Sequence, residues 1–218
     1  MSVAVNFEQQ IVEEAAASPI VAIMRLTLEI DRELRKLLGA SGRLADYQGE
    51  IPDALILLES SYGPLPHEVK DVLTQFWSLR NHVVHSNVSE HLALRALDYG
   101  LRILRMVKSI PRYSYVVVRD NIPVYDNADC RPPARSDVRG VMLETYSPEG
   151  KSQGRQVFPS TKSYSPGESV SWEWNRQNER SWGPSWYQEP EPSDPSKTKI
   201  ASAWGESLEF VGRNLEEI

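Results

Sequence analysis

Hydrophobic positions along this chain repeat with two different periods, and the change falls near residue 112. Asn6 to Ala17 reads as a short opening helix interrupted at Ser18-Pro19, and Pro19 suits the first turn of the next helix, where its missing N–H costs nothing. Ile20, Ile23, Met24, Leu34 and Leu38 then form one stripe at helical spacing, which Gly39 ends. Gly42 to Glu50 is a polar connection, Ile51 to Ser60 a short apolar helix, and Tyr62-Gly63-Pro64-Leu65-Pro66 a turn. From Pro66, the residues Val69, Val72, Leu73, Phe76, Leu79 and Val83 share a face by the i, i+3, i+4 rule. A further long helix is expected from about Glu90 to Ile110.

After Arg112 the period becomes two. Tyr115–Arg119, Ile122–Asp126, Val138–Tyr146, Arg155–Pro159 and Ser169–Asn175 read as strands, with turns such as Pro148-Glu149-Gly150 and Pro166-Gly167 between them. Gly183 to Thr198 is crowded with Pro, Ser and acidic residues and reads as a loop or linker. Trp204 to Val211 reads as a last helix or strand. The fold class expected is therefore α+β: a helical bundle over about 1–112, then a small antiparallel β-rich domain over about 113–218.

Composition sharpens that division. All four histidines (His67, His82, His85, His91) precede the boundary, while Trp172, Trp174, Trp182, Trp186 and Trp204 follow it, five of six tryptophans. The lone Cys130 excludes an internal disulfide framework, and no Cys/His spacing suits zinc, so no metal or cofactor is expected. With no basic and apolar leader in Met1–Gln10 and no run of about 18 apolar residues, the expectation is a soluble cytoplasmic protein with no membrane partner. A net charge of −6 argues against coating nucleic acid through a broad basic surface, but leaves room for a focused cationic pocket.

The chemistry concentrates in Arg80-Asn81-His82-Val83-Val84-His85. Arg80 intrudes into the apolar stripe: on a wheel of about 100° per residue it falls between Val69 and Val84. Its guanidinium must therefore snorkel, find a carboxylate or line a cleft. Asn81 and His85 lie one turn apart at the stripe's edge, so the three can border one groove. An arginine that keeps its charge and an imidazole that titrates near neutrality suit phosphodiester cleavage without a metal. Asp31 is a second polar intrusion, with two readings: an i, i+4 pair with Arg35, or an inter-helix pair that orients Arg80.

An aromatic and aliphatic helix ending in Arg80-Asn81-x3-His85, followed by Ser86-Asn87 and another long helix, resembles the HEPN superfamily of helical domains, many of them ribonucleases of toxin–antitoxin, anticodon-nuclease and phage-defence systems. Asn87 stands where toxins of the nucleotidyltransferase-paired subgroup usually carry Tyr, so the likeness is to the superfamily rather than to that subgroup. It covers the first half of the chain. The resemblance implies an RNA substrate, catalytic roles for Arg80, His85 and Asn81, a homodimer with a composite cleft, and a possible antitoxin or partner protein. The other course is a non-catalytic dimerisation or nucleotide-binding scaffold whose β domain binds a partner. Without the family, Asn81, His82 and His85 are polar residues at a helix C-terminus, where a protonated imidazole suits the dipole.

Three further groups carry weaker chemistry. Asp126, Asp129 and Asp137 lie in a turn-rich segment and lack an ordered ligand loop. Trp172 and Trp174 share a strand face and suit the packing of a small sheet. Trp182, Trp186 and Tyr187 fall in the expected loop and are candidates for ligand or partner contact.

Overall fold

The computed structural model describes residues 7–65, 67–85, 90–175, 183–191, 194–203 and 209–218, with backbone alone at 84, 85, 90, 190, 191, 194–199 and 202. The architecture is α+β: helices in the N-terminal half, antiparallel strands in the C-terminal half. Two compact units divide the chain, Met1–Leu38 with Asp46–Ile110, and Gly39–Ala45 with Pro111–Ile218.

In the first unit, α1 (Phe7–Ala17) and α2 (Pro19–Ala40) are separated by Ser18 alone. Arg25 of α2 reaches back to Glu14 at 3.4 Å and Gln10 at 3.1 Å, with its guanidinium 5.5 Å from the Phe7 ring centroid. Those contacts require α1 to fold back along α2. The core side of α2 is Ala22, Ile23, Leu26, Ile30, Leu34, Leu37 and Leu38, all buried. Ile20 and Met24, expected in that stripe, are 47% and 49% exposed and sit instead with Val21 and Leu28 on an outer face. Helical spacing was satisfied by two apolar faces, and packing chose the one with more large aliphatic residues.

A short 3-10 turn (Leu44–Asp46) precedes α3 (Ile51–Tyr62), α4 (His67–His85) and α5 (Glu90–Ser109). Val69, Val72, Leu73, Phe76 and Val83 are buried along α4, as their spacing predicts, and Leu79 is half-buried. Gly100 lets α5 approach closely: a Cβ there would lie 2.5 Å from Leu26 Cδ2 and 2.8 Å from Phe76 Cε2.

At the other end of α5, Arg105 Nε donates to Glu8 Oε1 at 2.9 Å. The Arg105 hydrogen bond holds the Glu8 carboxyl below its ordinary 4.5; burial pushes the other way, and the charges of Arg105 and then Lys108 add smaller downward contributions. A depressed folded-state pKa adds stability above the unfolded value that is lost as pH falls through the folded one. Glu8→Gln is therefore expected to melt slightly below the wild type at neutral pH, with the gap closing below about pH 4.5; thermal melts between neutral and acidic pH read this directly.

In the second unit, β1 (Ser114–Ile122), β2 (Arg139–Tyr146), β3 (Ser152–Ser160) and β4 (Ser169–Val170) form an antiparallel sheet in the order β3-β2-β1-β4. Its core joins Val117, Val141, Leu143, Phe158, Tyr164, Val170 and Phe210. Trp172 and Trp174 pack against this cluster, their rings 5.2 Å apart and edge-to-face, and Tyr115 stacks on Trp172 at 4.6 Å. The expected strand over Ser169–Asn175 shortens to two residues, because beyond Val170 the chain leaves β1 and runs beside Glu209–Arg213, with Ser171 N on the Arg213 carbonyl, Asn175 N on the Glu209 carbonyl and a bridge from Trp174 to Phe210. The expected strand Ile122–Asp126 is absent as a separate element: Ile122 ends β1, and Tyr125 makes one bridge to Trp186.

The expected loop over Gly183–Thr198 is instead largely a hairpin, β5 (Trp186–Glu191) with β6 (Asp194–Ser202). Proline discouraged a strand reading, but a two-stranded ribbon gives each strand an open edge where a missing N–H leaves no bond unmade. Of Trp204–Val211, residues 204–208 lie outside the described residues, and Glu209–Val211 holds neither helix nor strand, with a bridge at Phe210. No described helix is long and apolar enough to cross a membrane.

Candidate functional site

The last two turns of α4 present Trp77, Arg80 and Asn81 together. Arg80 is half-buried, as its place beside the apolar stripe requires. Its guanidinium carbon lies 5.2 Å from the centroid of the Trp77 ring one turn earlier, within cation–π range. Its Nη1 donates to Asn81 Oδ1 at 2.8 Å, while Nε is shielded and has no acceptor among the described residues. Indole and amide thus fix the cation without neutralising it. Among the described residues, no carboxylate pairs with Arg80.

Asp31 is not the orienting partner of Arg80. Its Oδ2 accepts from Arg35 Nε at 2.7 Å and its Oδ1 from Tyr47 Oη at 2.6 Å. The i, i+4 arginine is already within reach on the same helix, and Tyr47, from the chain beyond α2, takes the second oxygen. Burial, and then the Asp31 hydrogen bond and charge, push the Tyr47 phenol well above its ordinary range. Asp31 therefore organises its own corner of the helical unit. Asp31→Ala is expected to lower stability by about 1–2 kcal/mol, since it strands a buried phenol, while leaving any Arg80-dependent activity unchanged; denaturant titration beside an activity assay separates the two.

His85 is the last residue of α4, and its side chain lies outside the described residues. His82 is exposed. Arg80 and Asn81 are therefore brought together by direct contact, while the position of His85 is given by its backbone alone. Trp77 was missed in the sequence, although its spacing of three from Arg80 on a helix is the signal that finds it.

The remaining candidates separate. Tyr187 is 5% exposed and packs with Ile122, Met142 and Val157, so it is a core residue rather than a loop contact, and burial raises its phenol pKa. Trp186 is half-buried in β5, its backbone bridged to Tyr125, and Trp182 lies outside the described residues. Cys130 is buried at a positive φ of 49°, and burial, then Asp129, raise its thiol pKa, which opposes a nucleophilic role. Asp129 and Asp137 point their charges at Arg131 and Arg135, and no group of three or more His, Cys, Asp or Glu suited to a metal occurs among the described residues.

Chemically, the α4 end offers a charge that does not titrate, held in a fixed plane beside an amide. Such a group binds and stabilises an oxyanion. No family model, no curated protein and no solved structure matches this chain.

Proposed function

We propose that this chain is a metal-independent endoribonuclease of the HEPN type. In the reaction the RNA 2′-hydroxyl attacks the adjacent phosphorus, the bond to the 5′-oxygen breaks, and a 2′,3′-cyclic phosphate and a 5′-hydroxyl result. His85 takes the 2′-proton as general base, and His85 of a second copy protonates the leaving oxygen, so the active species is a homodimer. Arg80 stabilises charge on the phosphoryl oxygens, and Asn81 holds Arg80 in place. The observation that carries this reading is the Arg80 guanidinium, fixed by Trp77 and Asn81 yet unpaired with any described carboxylate. The biological setting that fits is a toxin or phage-defence system with a protein antitoxin or activator.

The test is cleavage of total RNA by the purified chain in EDTA, with analysis of product ends. Cyclic-phosphate ends that disappear in His85→Ala support the mechanism. Equal background from the wild type and the variant overturns free-standing catalysis and favours the scaffold. That second reading has its own observation, the outer face of α2, where Leu28 is 71% exposed beside Val21 and Met24. An apolar helix face of this kind suits a protein partner.

A further inference from the structure

A polar pocket of about 180 Å³ opens at one end of the four-stranded sheet, where β1 finishes, β2 begins and β3 ends. The antiparallel register sets Arg139 opposite Ser160 and Gly140 opposite Ile122. Between Arg119 and Ile122 the pairing of β1 with β2 slips, and Asn121 takes a φ of 54°. Irregularities at a sheet rim re-aim side chains, and a non-glycine residue in the left-handed region persists only where its surroundings hold it. Here they turn Asp120 and Asn121 into the pocket wall.

Two cationic residues, Arg139 and Lys162, line the same pocket. Arg139 Nη1 donates to the carbonyl of Val138 at 3.2 Å and to that of Arg135, and Lys162 Nζ donates to the carbonyl of Val211 at 2.9 Å. Neutral carbonyls hold both in position without cancelling their charge, and neither pairs with a carboxylate among the described residues. The two acids of the pocket are held differently: Asp137 faces Arg135 Nε at 3.4 Å, and Asp120 accepts the Tyr164 amide through Oδ2 at 2.9 Å. Ser136 and Ser163 add hydroxyls at the rim.

We propose that this pocket binds a small phosphate ester that carries free hydroxyls. The phosphate sits between Arg139 and Lys162, where a planar fork and a point charge are complementary to its oxygens. A bare oxyanion meets repulsion from Asp120 and Asp137, whereas hydroxyls on the ligand donate to Asp120 and turn that repulsion into recognition. The volume, below the roughly 300–1,000 Å³ of pockets for drug-sized ligands, suits a ligand of about the size of one sugar phosphate. The site lies in the β unit and stands whether or not the helical unit cleaves RNA.

Calorimetric titration of the full chain with ribose 5-phosphate, inorganic phosphate and ribose tests this. Ribose 5-phosphate is expected to bind more tightly than either fragment. Arg139→Gln and Lys162→Gln are each expected to weaken it about tenfold or more, the loss of one charge-assisted hydrogen bond. Asp120→Asn is expected to narrow the preference over inorganic phosphate. Unchanged melting and circular dichroism establish that each variant folds, and if Arg139→Gln does not, Lys162→Gln carries the test. No binding of ribose 5-phosphate, equal binding in all variants, or tighter binding of phosphate alone overturns the proposal.

Discussion

Arg80→Ala is expected to reduce RNA cleavage by about 10²–10³-fold, the usual consequence of removing a preorganised donor from a developing oxyanion. Arg80→Lys should recover little, because a flexible ammonium cannot reproduce a planar guanidinium held over an indole and tied to an amide. The Trp77 and Asn81 contacts give this prediction a second limb. Asn81→Ala frees Nη1 and should lower the rate less than loss of the charge itself, and single-turnover measurements beside RNA-binding measurements would place the loss in chemistry rather than affinity. If Arg80→Ala cleaves as the wild type does, the arginine has no part in the reaction and the scaffold reading stands.

Phe76→Ala is expected to cost about 3–5 kcal/mol of folding stability, the range for emptying a fully buried aromatic site. Phe76 is 0% exposed and meets Leu26 where Gly100 brings α5 in. Gly100→Ala tests the same junction from the other side. In an exposed helix that change stabilises by about 1 kcal/mol. Here the added Cβ would fall 2.5 Å from Leu26 Cδ2, and overpacking of about 1–3 kcal/mol outweighs the propensity gain. The double variant should cost less than the sum, because removing the Phe76 ring leaves room for the new methyl. Denaturant unfolding followed by far-ultraviolet ellipticity reads all three, and strict additivity would show that the two residues do not share one packing site.

The division into a helical and a strand half, the positions of the long helices and the buried face of α4 follow from the order of residues alone, because periods of 3.6 and 2 are written locally in which residues are apolar. That order also marks Arg80 as anomalous, since a guanidinium inside an apolar stripe is conspicuous without any knowledge of neighbours. Packing between distant segments selected which of two apolar faces of α2 is buried, leaving Met24 and Leu28 outside and Ile23 and Leu26 inside. It likewise gave Asp31 to Arg35 and Tyr47, and made Gly100 a packing contact rather than a weak point in a helix. The hairpin of β5 and β6 belongs with these, because pairing across a proline-rich stretch depends on which edges remain open. Periodicity fixes what each element can bury; the choice of partner is made between residues far apart in the chain, by close packing and by the cost of leaving buried polar groups unpaired.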